Sequence, residues 1–125
     1  MQKFRVLVVD DHTMVRRGLA ELLRAEVDIE VVGEAGDAQE GMALAHELNP
    51  DVILMDVSMP GTSGVEATRR VKADMPRIRI IGVSMHDMDG TRESMLRAGA
   101  DDYVTKDAPP EELLAAVRSS GAPTE

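Results

Sequence analysis

Short runs of β-branched and aliphatic residues alternate along this chain with longer amphipathic stretches, and that alternation restricts the fold more than any other property of the sequence. Repeated strand and helix units of this kind build an open parallel sheet with helices laid over it. Phe4-Arg5-Val6-Leu7-Val8-Val9 reads as the first strand, followed by residues 29–35, 51–55, 79–84 and 103–106. The alternation accommodates five such units in one domain, because 125 residues support a single core and not two.

The intervening segments carry helix signals. Thr13 is placed to cap the first helix, with Met14, Val15, Leu19, Leu22 and Leu23 at helical spacing and Arg16, Arg17, Glu21 and Arg24 mostly on the other side. Asp37 caps a second helix that runs to Leu48 and is ended by Asn49-Pro50. The loop from Asp56 to Gly64 contains Pro60, Gly61 and Gly64, as an unusual backbone path requires. Helices are expected over residues 65–74 and 87–98, and Pro109-Pro110 opens a last one to about residue 119. Aromatic residues are confined to Phe4 and Tyr103, so methionines, among them Met14, Met42 and Met95, are expected to fill an aliphatic core in place of rings.

Composition excludes several function classes. A formal net charge of −9, with no clustered Lys/Arg stripe, argues against direct contact with duplex DNA or an anionic membrane. The chain has no cysteine, hence no disulfide framework, thiolate nucleophile or zinc-thiolate site, as suits a reducing compartment. Its first apolar run is too short for a signal-peptide core or a membrane span, and a cytoplasmic location is expected.

In open parallel sheets ligands bind outside the carboxyl ends of the strands. Asp10, Asp11, Asp56, Ser84 and Lys106 all fall there. Any one of them taken singly is as well explained as a helix cap or loop polar group. Together they form a complementary set: three carboxylates whose mutual repulsion calls for a hard, oxygen-seeking cation, plus a hydroxyl and an ammonium. Such a set suits phosphoryl transfer.

The stretches Val8-Val9-Asp10-Asp11, Leu54-Met55-Asp56-Val57-Ser58-Met59-Pro60-Gly61, Val83-Ser84 and Tyr103-Val104-Thr105-Lys106 make the chain resemble the receiver domain of a two-component response regulator. Within that family, Asp10-Asp11-His12, Val15-Arg16-Arg17-Gly18-Leu19 and Lys106-Asp107-Ala108 resemble the NarL/FixJ subfamily. The resemblance implies a flavodoxin-like (CheY-like) α/β fold with five parallel strands in order 2-1-3-4-5 and five helices on both faces. It assigns residues 1–119 to the receiver and residues 120–125 to a linker or flexible tail, with a helix-turn-helix DNA-binding domain expected to follow in a full-length protein. It implies Asp56 as phosphoacceptor from a sensor histidine kinase, and Mg²⁺, with Mn²⁺ as substitute, held by Asp11, Asp56 and the Ser58 carbonyl, with Asp10 acting largely through water. Lys106 would pair with phosphoryl oxygens, Ser84 would be the switch hydroxyl, and Tyr103 the coupled ring that turns inward. The implied output is a changed surface of helix 4, strand 5 and helix 5, leading to homodimerisation or release of the attached domain and so to control of transcription. No direct contact of this domain with nucleic acid or membrane is implied, and enzymatic character would be limited to weak self-phosphorylation and autodephosphorylation.

Three histidines admit separate readings. His12, beside the acid pair, suits a helix-start role better than a magnesium ligand. His86, and with it Ser58, would tune the lifetime of the phosphoryl group, an exposed loop histidine being the equal alternative; His46 has no partner identifiable from sequence. Lys106 precedes Asp107 where the wider family has proline, which leaves the isomer of that peptide bond open. A haloacid-dehalogenase-type phosphohydrolase is disfavoured because Asp56-Val57-Ser58 has serine, and Asp10-Asp11-His12 histidine, where the second Asp of its Asp-x-Asp segment belongs. A flavin-binding flavodoxin-like domain lacks its Ser/Thr/Gly phosphate cradle in the first loop. An inactive docking receiver ranks below an active one, since every phosphorylation residue is present.

Overall fold

The computed structural model describes residues 2–85 and 90–119. Strands β1 (Phe4–Val9), β2 (Ile29–Ala35), β3 (Val52–Asp56), β4 (Arg79–Ser84) and β5 (Asp102–Thr105) form one parallel sheet in the order β2-β1-β3-β4-β5. Helices α1 (Thr13–Arg24), α2 (Ala38–Leu48), α3 (Gly64–Asp74), α4 (Thr91–Ala98) and α5 (Pro110–Arg118) alternate with them.

The pleat sorts the core into two layers. Leu7, Val9, Ile53, Met55 and Ile80 face α2, α3 and α4, where they meet Ala45, Ala67, Val71 and Met95. Their neighbours Val6, Val8, Leu54, Ile81, Val83 and Val104 point the other way, onto Leu23 of α1 and Leu113, Ala116 and Val117 of α5. With both faces covered, β1 and β3 become near-continuous apolar runs, as buried parallel strands require. The shared strand direction then delivers each strand's following residue to one edge. Among the described residues, no helix is long and apolar enough to cross a membrane.

Several local expectations shift. Thr13 is the first residue of α1 and not its cap; His12 holds that position without a side-chain cap bond, and Arg16 N closes the first turn on His12 O at 2.8 Å. Asp37 does cap α2, accepting from Glu40 N at 2.8 Å, while Glu40 Oε1 accepts from Gly36 N, one residue before the cap, at 2.7 Å. β3 and β5 each sit one residue from expectation: the Asp51 carboxylate is diverted to Arg5 N at 2.8 Å, and β5 begins at Asp102. α3 begins at Gly64, capped by the Ser63 hydroxyl, one residue before the expected start. For α4, residues 87–89 of the expected helix lie outside the described residues, as do His86 and the tail 120–125.

The methionines divide. Met95 is fully buried and Met42 packs at the core margin, but Met14 is 87% exposed, contrary to its reading as core filler. It occupies the first turn of α1, beyond the strand ends, where no layer of the core reaches it. His46 also acquires partners: its ring lies 2.9 Å from Met42 O and 3.3 Å from Asp74 Oδ2 at the end of α3.

The last helix is fastened at its C-terminal end. Arg118 grips Asp28 with Nε at 2.7 Å and Nη2 at 2.6 Å, and reaches Glu26 at 2.9 Å. The hydrogen bond from Arg118 holds the Asp28 carboxyl below its usual range. From the start of β4, Arg79 donates to Ala116 O at 3.2 Å and to Ser119 Oγ at 2.8 Å.

Candidate functional site

All five strand-end groups expected to converge do so. Asp10 follows β1, tied to β2 by its N–H, which donates to Ala35 O at 3.0 Å; its Oδ1 accepts from His12 N at 2.9 Å. Asp56 is the last residue of β3, 2% exposed, and Ser58 N donates to its Oδ1 at 3.3 Å. Behind it the chain doubles back: Gly64 N donates to Val57 O at 3.1 Å, and a β-carbon at Gly64 would stand 2.1 Å from Asp56 O. Glycine is the residue that permits this approach. Lys106, just beyond β5, is buried with Nζ 2.7 Å from Asp10 Oδ2 and 3.3 Å from Asp56 Oδ1. Its peptide bond to Asp107 is trans, and its own N–H donates to Ser84 O at 2.6 Å.

One ammonium does not balance the acids gathered around it. Burial, then the charge of Asp10, push the Asp56 carboxyl up from 3.8 to about 6; Lys106 and the Ser58 N–H pull the other way, and the Asp11 carboxyl adds to the rise. The buried Asp56 Oδ2 has no hydrogen-bond partner among the described residues. Asp10, Asp11, His12 and Asp56 each offer a ligand atom, all within 4.8 Å of one another. An under-compensated, oxygen-rich cluster with an orphaned buried carboxylate oxygen is the donor set that a hard divalent cation fits. His12 occupies the N-cap position of α1 without a side-chain cap bond, and its Nδ1 stands 3.2 Å from Asp11 Oδ1.

Ser84 and Tyr103 are coupled directly. The two hydroxyls are 2.6 Å apart and buried, and Arg92 of α4 lies over the tyrosine ring at 4.8 Å. Gly82 leaves room for this packing, since a β-carbon there would meet Met95 Cε at 2.9 Å and Tyr103 Cδ1 at 3.1 Å. Tyr103 thus already lies inside, at 4% exposure, where the sequence reading had it turn inward only on switching. A cavity of about 380 Å³ opens over Asp56, bounded by His12, Ser58, Ser84, Met85, Thr91 and Lys106. Met85 and Thr91 were not foreseen as lining residues, because neither closes an apolar run.

Comparison with known proteins agrees with this geometry. The family model described as the response regulator receiver domain matches residues 6–118. The transcriptional regulatory protein LiaR of Bacillus subtilis is 46% identical over 116 residues, covering 93% of this chain and 55% of LiaR. Response regulator GacA of Pseudomonas viridiflava is 45% identical over 115 residues, 91% of this chain and 53% of GacA. The chain therefore spans about half the length of the curated relatives it matches. A crystal structure of a LuxR-family two-component response regulator from Aurantimonas sp. SI85-9A1 superimposes with a TM-score of 0.90 at 37% identity, covering 95% of this chain and 85% of that one.

Proposed function

This chain belongs to the response regulator receiver domain family, as a NarL/FixJ-like member, and from that membership we propose that it is a phosphorylation switch with Asp56 as phosphoacceptor. The observation that carries the proposal is the buried Asp56 carboxylate, which shares the Lys106 ammonium with Asp10 at the floor of an open cavity. A carboxylate oxygen of Asp56 forms the new bond to phosphorus as the bond to the imidazole nitrogen of a sensor kinase phosphohistidine breaks; the imidazole leaves and takes up a proton.

Asp11 and Asp56, with the Ser58 carbonyl, would hold Mg²⁺, and Asp10 would act largely through water. The cation would supply charge neutralisation for two anions brought together. Lys106, now paired with Asp10 and Asp56, would turn to the phosphoryl oxygens as a compact charge. The Ser84 hydroxyl, in moving toward the phosphoryl group, would give up its bond to Tyr103. That loss frees the ring to repack against Arg92 and Met95, and so alters the surface built by α4, β5 and α5. We further propose control of transcription through a DNA-binding domain as the output.

Incubation with acetyl phosphate and Mg²⁺ should add one phosphoryl group by intact mass. The same gain in Asp56→Asn, or labelling indifferent to a chelator, overturns the assignment.

A further inference from the structure

Arg16 sits one turn into α1, its side chain only 16% exposed, where the amphipathic pattern had placed it on the outer side. Its Nη1 donates to Asp10 O at 3.0 Å, and its Nε lies 3.3 Å from Glu34 Oε1 on β2. The other oxygen of Glu34 faces Arg24 at 3.4 Å, so the carboxylate is held from both sides. Gly36 keeps the space open, since a β-carbon there would come within 3.3 Å of Arg16 Nη1.

We infer that Arg16, buttressed by Glu34, is a positioning residue that sets the Asp10-Asp11 peptide and thereby aims the Asp11 carboxylate at the cation site. The inference rests on the receiver reading for the cation's identity. Both peptide groups flanking the Asp10 α-carbon are anchored to β2: the N–H directly on Ala35 O, the carbonyl through Arg16 and Glu34. Asp10's own side chain is fixed further by Lys106 and His12 N. Asp11 has no comparable anchor to a cation or a backbone N–H: its carboxylate lies beside the His12 ring, itself 65% exposed, and beside the Asp56 carboxyl, with which it would share the cation. The direction of the Asp11 side chain is therefore governed by the plane of the peptide before it. A guanidinium can hold that plane and Glu34 together through separate N–H groups of one rigid fork; an ammonium on a flexible stem cannot hold both in the same fixed geometry.

The test uses the full chain with Mg²⁺ alone as probe, titrated calorimetrically, together with amide hydrogen exchange in chelator. In Arg16→Ala the Mg²⁺ dissociation constant should rise about tenfold, the size expected when a group behind a metal ligand is lost. The His12 amide, which rests on Asp10 Oδ1, should exchange severalfold faster in the metal-free variant. Phosphorylation by acetyl phosphate should need correspondingly more Mg²⁺ and approach the wild-type maximum when saturated. Arg16→Lys, which keeps the charge and bulk, should recover only part of the affinity, and Glu34→Gln should show a smaller loss in the same direction. Arg24→Ala, which removes only the outer partner of Glu34, should stay within twofold of wild type. Wild-type Mg²⁺ affinity in both Arg16 variants would overturn the inference and leave the receiver reading intact. Failure of the wild-type chain itself to bind Mg²⁺ or become phosphorylated would instead remove the phosphorylation-switch reading.

Discussion

The Asp56 carboxyl makes the metal-free protein less stable as it ionises. Its titration lies near 3.8 in the unfolded chain and about 6 in the fold, so between those values the native state binds more protons and stability falls as pH rises through that window. Asp56→Asn removes this liability: without metal it should be more stable than wild type by roughly 1–3 kcal/mol at pH 7.5, the gain vanishing near pH 4. Denaturant unfolding at both pH values measures it, and a gain that persists unchanged at pH 4 would contradict the cause given. Lys106→Ala, by removing the cation shared by Asp10 and Asp56, should still allow Asp56 to be phosphorylated while abolishing the exchange changes expected of the wild type in β4 and β5. Wild-type exchange changes in that variant would reduce Lys106 to a structural ion-pair partner. At this scale the acids, the serine and the lysine were legible because each closes an apolar run. The Arg16–Glu34, His46–Asp74 and Ser84–Tyr103 contacts were not, because each joins two different elements of the fold and no local pattern marks it.

Two glycines allow elements to approach more closely than any other residue would permit, and they do so with different tolerance. At Gly64 the obstacle is the backbone carbonyl of Asp56, which cannot yield without moving the end of β3 and the carboxylate it carries; at Gly82 it is the flexible end of Met95 and the edge of Tyr103. Gly82→Ala should cost about 1–2 kcal/mol, and Gly64→Ala more than about 3 kcal/mol together with loss of Asp56 labelling. Equal costs by denaturant unfolding would refute this ranking. The glycine, serine and proline cluster marked the loop before α3, yet could not reveal that one glycine is pressed against Asp56. Strand and helix alternation was readable because buried parallel strands and amphipathic helices leave different periods in sequence. Their ends were less so, since Asp51, His12 and Ser63 are settled by individual hydrogen bonds and helix-end contacts. Met14 follows the helical period and still faces outward, because α1 starts beyond the sheet's edge.

At the scale of the molecule, switching is expected to spread through the half of the sheet that contains β4 and β5 and to spare β2. Hydrogen exchange with and without beryllofluoride plus Mg²⁺ should differ in β4, α4, β5 and α5, and identical exchange there would remove the switch in favour of passive docking. The end of α5 should change least, because Arg118 and Arg79 fasten it to the β2 entry and to the start of β4. One further consequence follows from the chain having a single tyrosine and no tryptophan, with that tyrosine's hydroxyl on Ser84. The near-ultraviolet absorption of these 125 residues is in effect the spectrum of one phenol, and a phenol's band shifts when its hydroxyl gains or loses a hydrogen bond. An unlabelled solution in a cuvette thus carries its own optical gauge of the Ser84–Tyr103 bond on which the proposed switch turns, readable in real time without a dye or an engineered probe.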